Sequence, residues 1–296
     1  MKGKLKAHLL QLPRWFAVPF FGSAVLLGAV LAGGINSNAW LAFIAAMLVM
    51  AGGHAFNSFL DYAWTGLDKG EVGDRSAEKD YTGGQNLIEQ GIVSARETAI
   101  NGVVCYALSA IPIILLISRV GWQIVIPWTI GMLITFWYAK GKFNWTQELA
   151  IGSAAGPVAV LLGMFAITPN PDWVSGLIIS FPLAITLGFG DMPLDEWEDA
   201  EANLKKGVKS IAYKVWEYKI DLGFYMLVWM VFAYTYQVFL IAIGKLVPLT
   251  GLTFIVFPVL VACTVLLKAN FRKAAAGFML TVSFYPILLL VGQLLG

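Results

Sequence analysis

Charge is what this chain has least of. Asp, Glu, Lys and Arg make up 13% of its 296 residues, while 58% are hydrophobic. Soluble domains carry about 25% charged residues and a smaller apolar share, so an ordinary soluble enzyme or binding module is excluded. Cysteine is scarce as well. Cys105 and Cys263 both fall inside apolar runs, which points to buried free thiols and excludes a disulfide framework. The net charge of +2 singles out no partner, and none among nucleic acids is expected. The opening stretch, MKGKLKAHLLQLPRW, lacks the short apolar core and small-residue cleavage site of a signal peptide. It reads either as a basic interfacial segment whose Leu residues lie on the membrane surface or as a plain disordered tail.

What the chain has in abundance is apolar runs of spanning length, in keeping with a mean hydropathy of +0.74. They occur at Trp15 to Leu31, Ala39 to Tyr62, Thr98 to Ile117, Trp122 to Tyr138, Leu149 to Ile167, Trp173 to Gly190, Leu222 to Ile243, Leu252 to Leu267 and Ala274 to Leu294. A helix needs about 20 apolar residues to cross a bilayer. The reading is therefore an all-α integral membrane protein, a single domain over residues 1–296 with nine transmembrane helices. Its longer polar loops fall at about 62–96 and 191–219. Of the 20 Lys and Arg, all but Arg119 and Lys245 lie in the N-terminal segment or in the loops after the second, fourth, sixth and eighth runs. The positive-inside rule then places the N-terminus in the cytoplasm and the C-terminus on the opposite side of the cell membrane.

The acids are placed less evenly than that rule requires. Only Asp172 falls on the outer side, and two clusters stand where apolar runs end. The first is HAFNSFLDYAWTGLD, in which Asn57 and Asp61 share a helix face, with His54 one turn earlier and Asp68 beyond. The second is GDMPLDEWEDAEANLKKGVKS, in which Asp195, Asp199 and Asn203 fall at i, i+4 and i+8 and would form one stripe on a continuous helix. Acids at a membrane edge are expensive. Like charges one turn apart repel unless a cation sits between them, and paired oxygen ligands with substrate phosphates are the usual surroundings of Mg²⁺. His54 reads better as a hydrogen-bonded packing residue.

These two motifs, N-x-x-x-D with a further Asp after the second run and D-x-x-x-D-x-x-x-N-x-x-x-G-x-K-S after the sixth, resemble the acidic motifs of the UbiA superfamily of intramembrane prenyltransferases. The resemblance covers essentially the whole chain and implies nine helices around a central cavity. It makes Asn57, Asp61 and Asp68 the first motif for Mg²⁺ and diphosphate, and Asp195, Asp199 and Asn203 the second, with two Mg²⁺ ions expected. Ser58 stands where an Asp commonly follows the Asn. The loop TGGQNLIEQGIVS and the stretch TQELAIGSAAGPVAVLLG are most similar to the 1,4-dihydroxy-2-naphthoate branch, although Asn86 occupies a position expected to be Arg. YAKGK is instead similar to the 4-hydroxybenzoate branch, so the acceptor stays open, with 4-hydroxybenzoate, homogentisate, chlorophyllide or a lipid alcohol as the alternatives to the naphthoate.

The chemistry this implies is departure of diphosphate from an allylic prenyl chain and attack on the resulting carbocation by an electron-rich ring. Mg²⁺ acts as Lewis acid on the leaving group. Lys142 and Lys209 are the candidates for direct diphosphate contacts, with Asn57, Arg75 and Asn86 in support. Asp191, one turn before Asp195, is the first candidate for the base, and Glu148 the second. The cation needs a dry pocket, for which Trp64, Phe136, Trp137, Trp145 and Phe189 are the expected aromatic lining. The partners are then a prenyl diphosphate, an aromatic acceptor and the bilayer, with no obligate protein partner. Two rivals fare worse. An ion-coupled transporter would carry acids near the bilayer midplane, where this chain has almost none, and a phosphatidyl-alcohol transferase would open with a D-G-x-x-A-R motif that is absent.

Overall fold

Where water is absent every backbone polar group has to be satisfied within the chain, and a run of apolar residues can do so only as a helix or a closed barrel. The computed structural model, which describes residues 2–69 and 87–296, shows helices throughout. Eight are long and apolar enough to cross a membrane: α2 (Ser37–Ala63), α3 (Ala95–Val120), α4 (Trp122–Gly141), α5 (Gln147–Ile167), α6 (Trp173–Glu196), α7 (Leu222–Ala242), α8 (Pro248–Leu266) and α9 (Phe271–Leu295). A ninth apolar helix, α1 (Val18–Leu31), is shorter. The chain is an all-α integral membrane protein, and the nine apolar runs of the sequence correspond one to one with these helices.

Local chemistry sets the helix ends. The Asn36 side chain caps α2 by accepting from the Asn38 and Ala39 amides at 2.9 and 3.2 Å. Ser94 and Glu97 cap α3 reciprocally: Ser94 Oγ accepts from the Glu97 amide at 3.1 Å, and Glu97 Oε2 accepts from the Ser94 amide at 2.7 Å. Such polar caps carry α2 and α3 past the apolar runs that announce them. At the start of α8, a 3₁₀ stretch over Pro248–Ile255 is held by Gln237 of α7. Its Nε2 donates to the Thr250 carbonyl at 2.8 Å, and its Oε1 accepts from Thr253 and Tyr285 at 3.0 and 2.8 Å.

The N-terminal segment is helical over Lys2–Lys6 and continues as a π turn over Ala7–Gln11. Leu5, Leu9 and Leu10 are exposed, while Ala7 and Leu12 pack on Ala55, Leu87 and Val93. The segment is therefore helical, with one side packed on the bundle and Leu5, Leu9 and Leu10 outward. Both cysteines are free, with Cys263 buried and Cys105 half-buried.

Two helices that frame the cavity are not regular. Thr186–Asp191 in α6 and Ala154–Val158 in α5 are π-helical, the latter around Pro157, where a wider turn relieves the clash of the proline ring with the preceding turn. Glycines let the two helices touch: a Cβ at Gly188 would lie 2.4 Å from the Glu148 carbonyl oxygen, and one at Gly152 2.6 Å from that of Ala184. The wide turns therefore sit on tightly held backbone, and both supply residues to the cavity.

Candidate active site

The cavity is walled by α1, α2, α4, α5 and α6, with Met279 of α9 at one side. Its polar end gathers Arg14, His54, Asn57, Tyr138, Asp191 and Asp195. Away from that end the lining is apolar and runs to Phe21, Ala46, Pro127, Trp128 and Leu162.

Asn57 and Asp61 are both buried and meet as their spacing requires: Asn57 Nδ2 donates to Asp61 Oδ2 at 2.9 Å. The same carboxylate oxygen accepts from Lys142 Nζ at 2.6 Å, in a buried ion pair. Burial opposes the charge on Lys142, but Asp61 beside it, together with Asp68 and Glu196, holds the ammonium above its ordinary range. Asp68 follows on the same segment, its amide donating to the Asp61 carbonyl at 3.3 Å, and its carboxylate adds to the field on Lys142. Lys209 is exposed at its side chain, and its amide donates to the Lys142 carbonyl at 2.6 Å.

The second cluster is only partly as the sequence suggests. Asp191 and Asp195 line the cavity, but the expected stripe does not extend to Asn203. A 3₁₀ turn over Trp197–Asp199 advances about 120° per residue rather than 100°, so the register is lost after Asp195. Asn203 lies in the following helix, Ala200–Lys205, and its Nδ2 donates to the Tyr213 hydroxyl at 2.9 Å. The Asp199 side chain, and Arg75 and Asn86 altogether, fall outside the described residues.

Glu148 is fully buried and does not line the cavity; its Oε1 accepts from the Ile211 amide at 2.6 Å and so fastens the loop after Lys209. The five aromatic residues expected to line the pocket do not line it either. Trp64, Phe136, Trp137 and Trp145 are exposed at the outside of the bundle, and Phe189 stacks on Trp229 with ring centroids 4.7 Å apart. Phe21, Trp128 and Tyr138 take that place. His54 is the packing residue expected of it, its Nδ1 donating to the Pro13 carbonyl at 3.0 Å.

Three contributors escaped the sequence reading. Arg14, the last cation before α1, turns there with φ 53°, lines the cavity and has a buried Nε without a partner. Its only sequence signal was a lone charge at the start of an apolar run. Gln147 and Glu196 are hydrogen-bonded to each other, and Gln147 Nε2 also donates to the Tyr138 hydroxyl at 3.1 Å, which braces the ring at the polar end.

Several buried oxygens here lack a hydrogen-bond partner: Asn57 Oδ1, Asp61 Oδ1 and Asp191 Oδ1. Orphaned buried acceptors call for a cation or ordered water. Among the described residues no three His, Cys, Asp or Glu side chains converge as a ready-made metal cage. That combination fits Mg²⁺, which keeps much of its water and takes one or two carboxylates together with substrate phosphate oxygens.

By sequence, no family model and no curated protein matches the chain. Its backbone does resemble solved structures over nearly its whole length. A structure of digeranylgeranylglyceryl phosphate synthase has a TM-score of 0.62 at 16% identity, covering 100% of this chain and 99% of that one. A UbiA homologue from Archaeoglobus fulgidus, bound to DMAPP and Mg²⁺, has a TM-score of 0.55 at 14% identity, with 95% and 98% covered. The apo form of a UbiA homologue from Aeropyrum pernix K1 gives 0.57 at 16% identity, with 95% and 97% covered. At such identities the likeness shows the fold alone, a backbone course shared with these structures over 95% or more of the chain.

Proposed function

We propose that this protein is a Mg²⁺-dependent intramembrane prenyltransferase that moves a prenyl group from an allylic diphosphate to an aromatic acceptor, 1,4-dihydroxy-2-naphthoate in the first instance. The observation that carries the reading is the junction of two environments in one cavity. Asn57 and Asp191, each with a buried oxygen that lacks a partner, line its polar end beside Arg14, the Asp61–Lys142 pair adjoins Asn57 through the Asn57–Asp61 hydrogen bond, and an apolar channel runs on from that end. An amphiphile with a diphosphate head and an isoprenoid tail matches both halves. The Archaeoglobus homologue of the same fold holds DMAPP and Mg²⁺.

In this reading Asn57, Asp61 and Asp195 hold Mg²⁺, with Asp68 and Asp199 completing the set for two ions. When bound, Mg²⁺ supplies Lewis-acid charge that neutralises the departing diphosphate. Lys142 is oriented by Asp61 and, with Arg14 and Lys209, gives the head group its cationic contacts. Arg75 and Asn86 belong to the same diphosphate-binding role. Phe21, Trp128 and Tyr138 keep the channel dry and present ring faces to developing positive charge. Asp191, at the polar end with one oxygen unpartnered, would take the hydroxyl proton as the ring attacks; with the naphthoate as acceptor the carboxylate then leaves as CO₂ and the proton returns to the ring oxygen, whereas an acceptor that keeps its carboxylate gives up a ring proton instead. Glu148, sealed away from the cavity, positions the loop and takes no part in proton transfer. The polar end and the N-terminus face the cytoplasm, by the distribution of Lys and Arg.

A second acceptor class is favoured by one observation. The digeranylgeranylglyceryl phosphate synthase structure shares this fold along nearly its full length, and Arg14, whose buried Nε lacks a partner, suits an anionic acceptor of either kind. Purified protein, Mg²⁺ and a labelled prenyl diphosphate should be incubated with naphthoate, benzoate, homogentisate and glyceryl phosphate lipid acceptors in turn. The naphthoate is expected to give prenylated product; product with another acceptor alone would reassign the acceptor and keep the chemistry. Asp191→Asn is expected to lower kcat by about 10² or more, the usual worth of a positioned base, while prenyl diphosphate binding is retained. Full turnover in that variant would remove Asp191 from the role.

A further inference from the structure

Three helices measure the cavity independently. Its lining extends from Asn57 back to Ala46 on α2, from Tyr138 back to Pro127 on α4 and from Ile151 on to Leu162 on α5, eleven residues in each case. At about 1.5 Å of rise per residue this is ~16 Å from the polar mouth to the level at which the lining stops. An isoprene unit adds four main-chain bonds of about 1.5 Å, which zigzag to ~5 Å of length. About three units therefore fit in line.

At the level where the lining stops, Trp128 is its bulkiest side chain, and it is pinned. Its Nε1 donates to Ser109 Oγ at 2.9 Å, and Ser109, fully buried on α3, donates in turn to the Tyr106 carbonyl at 2.7 Å. A tryptophan tied to a neighbouring helix by its only polar atom cannot swing aside without leaving its own N–H unpaired in an apolar interior. Resting on the prenyl diphosphate reading above, we propose that Trp128 is the stop that limits the donor to three isoprene units, so that the substrate class is farnesyl-sized. A longer tail meets the indole and has to fold back or leave the cavity sideways.

The test is binding of dimethylallyl, geranyl, farnesyl and geranylgeranyl diphosphates to the full-length protein in detergent with Mg²⁺. Affinity is expected to rise to farnesyl and to fall by at least about tenfold at geranylgeranyl, a loss typical of an apolar group that a pocket cannot admit. Trp128→Ala is expected to move the geranylgeranyl-to-farnesyl ratio by at least about tenfold towards the longer chain. A second variant works in the opposite direction. Gly131 lies seven residues from Tyr138 on the same helix, and a Cβ there would meet Val49 and Val158 at 3.6 Å, an ordinary contact. Gly131→Leu should therefore fold and block the channel at ~10 Å, leaving room for about two units. Geranylgeranyl diphosphate binding as tightly as farnesyl to the unmodified protein, or an unchanged length profile in both variants, overturns the proposal. Failure of every prenyl diphosphate to bind overturns the underlying reading as well, and a head-group analogue lacking the tail distinguishes that outcome from a mismeasured channel.

Discussion

Asp61→Asn is expected to lower kcat/KM by about 10³ or more, the scale on which preorganised charge stabilises a transition state. Under the proposed function the carboxylate has two separate duties. Its Oδ2 accepts from both Asn57 and Lys142, and its Oδ1 is buried and without a partner, placed to bind a cation. An amide in its place keeps the shape but gives up the charge. It also leaves the Lys142 ammonium buried beside a neutral group, which typically costs 3–5 kcal/mol. Loss of activity alone would therefore be ambiguous between chemistry and folding. The double variant Asp61→Asn/Lys142→Met resolves it: removing both charges should recover much of the thermal stability lost by the single change, yet neither protein should turn over. Recovery of activity in the double variant would show that Asp61 serves only to neutralise Lys142.

The largest effect on stability is expected at the crossing of α1 and α5. A Cβ on Gly163 would come within 1.8 Å of the Val25 carbonyl oxygen, and one on Gly28 within 1.9 Å of that of Val160. The two glycines thus face each other's helix backbone across one contact. Between membrane helices there is little hydrophobic driving force, so association rests on the close fit that small residues permit. Because the obstructing atoms are backbone and not flexible side chains, the helices themselves would have to separate. Gly163→Val is expected to cost at least ~3 kcal/mol and to abolish the monodisperse, thermally stable species in detergent. A change at Gly3, whose added Cβ would meet nothing within 4 Å, should leave that species intact.

The helix count could be read from the sequence because the length of an apolar run is a direct physical requirement of the bilayer. Asn57 and Asp61 were legible for a related reason, since residues four apart on a continuous helix meet whatever the rest of the chain does. Which way the helices face was not legible. Lipid and protein interior are equally apolar, so an outward Trp137 and an inward Trp128, both on α4, carry the same signal. That is why the aromatic lining was assigned to Trp64, Phe136, Trp137, Trp145 and Phe189 when Phe21, Trp128 and Tyr138 form it. Asn203 was misplaced because periodicity assumes an unbroken helix, and the 3₁₀ turn at Trp197–Asp199 breaks it. Arg14 was passed over among the surface lysines of its segment, since only the left-handed turn at that residue carries it to the cavity.

The central claim is that the polar end of this cavity holds a prenyl diphosphate together with Mg²⁺. Calorimetric titration of farnesyl diphosphate into the purified protein, with Mg²⁺ and then with EDTA in excess, tests it most directly. The expected result is saturable binding in Mg²⁺ that is lost with EDTA and absent from the Asp61→Asn/Lys142→Met variant. Binding that is indifferent to both EDTA and those substitutions, or no binding of the diphosphate under either condition, would contradict it.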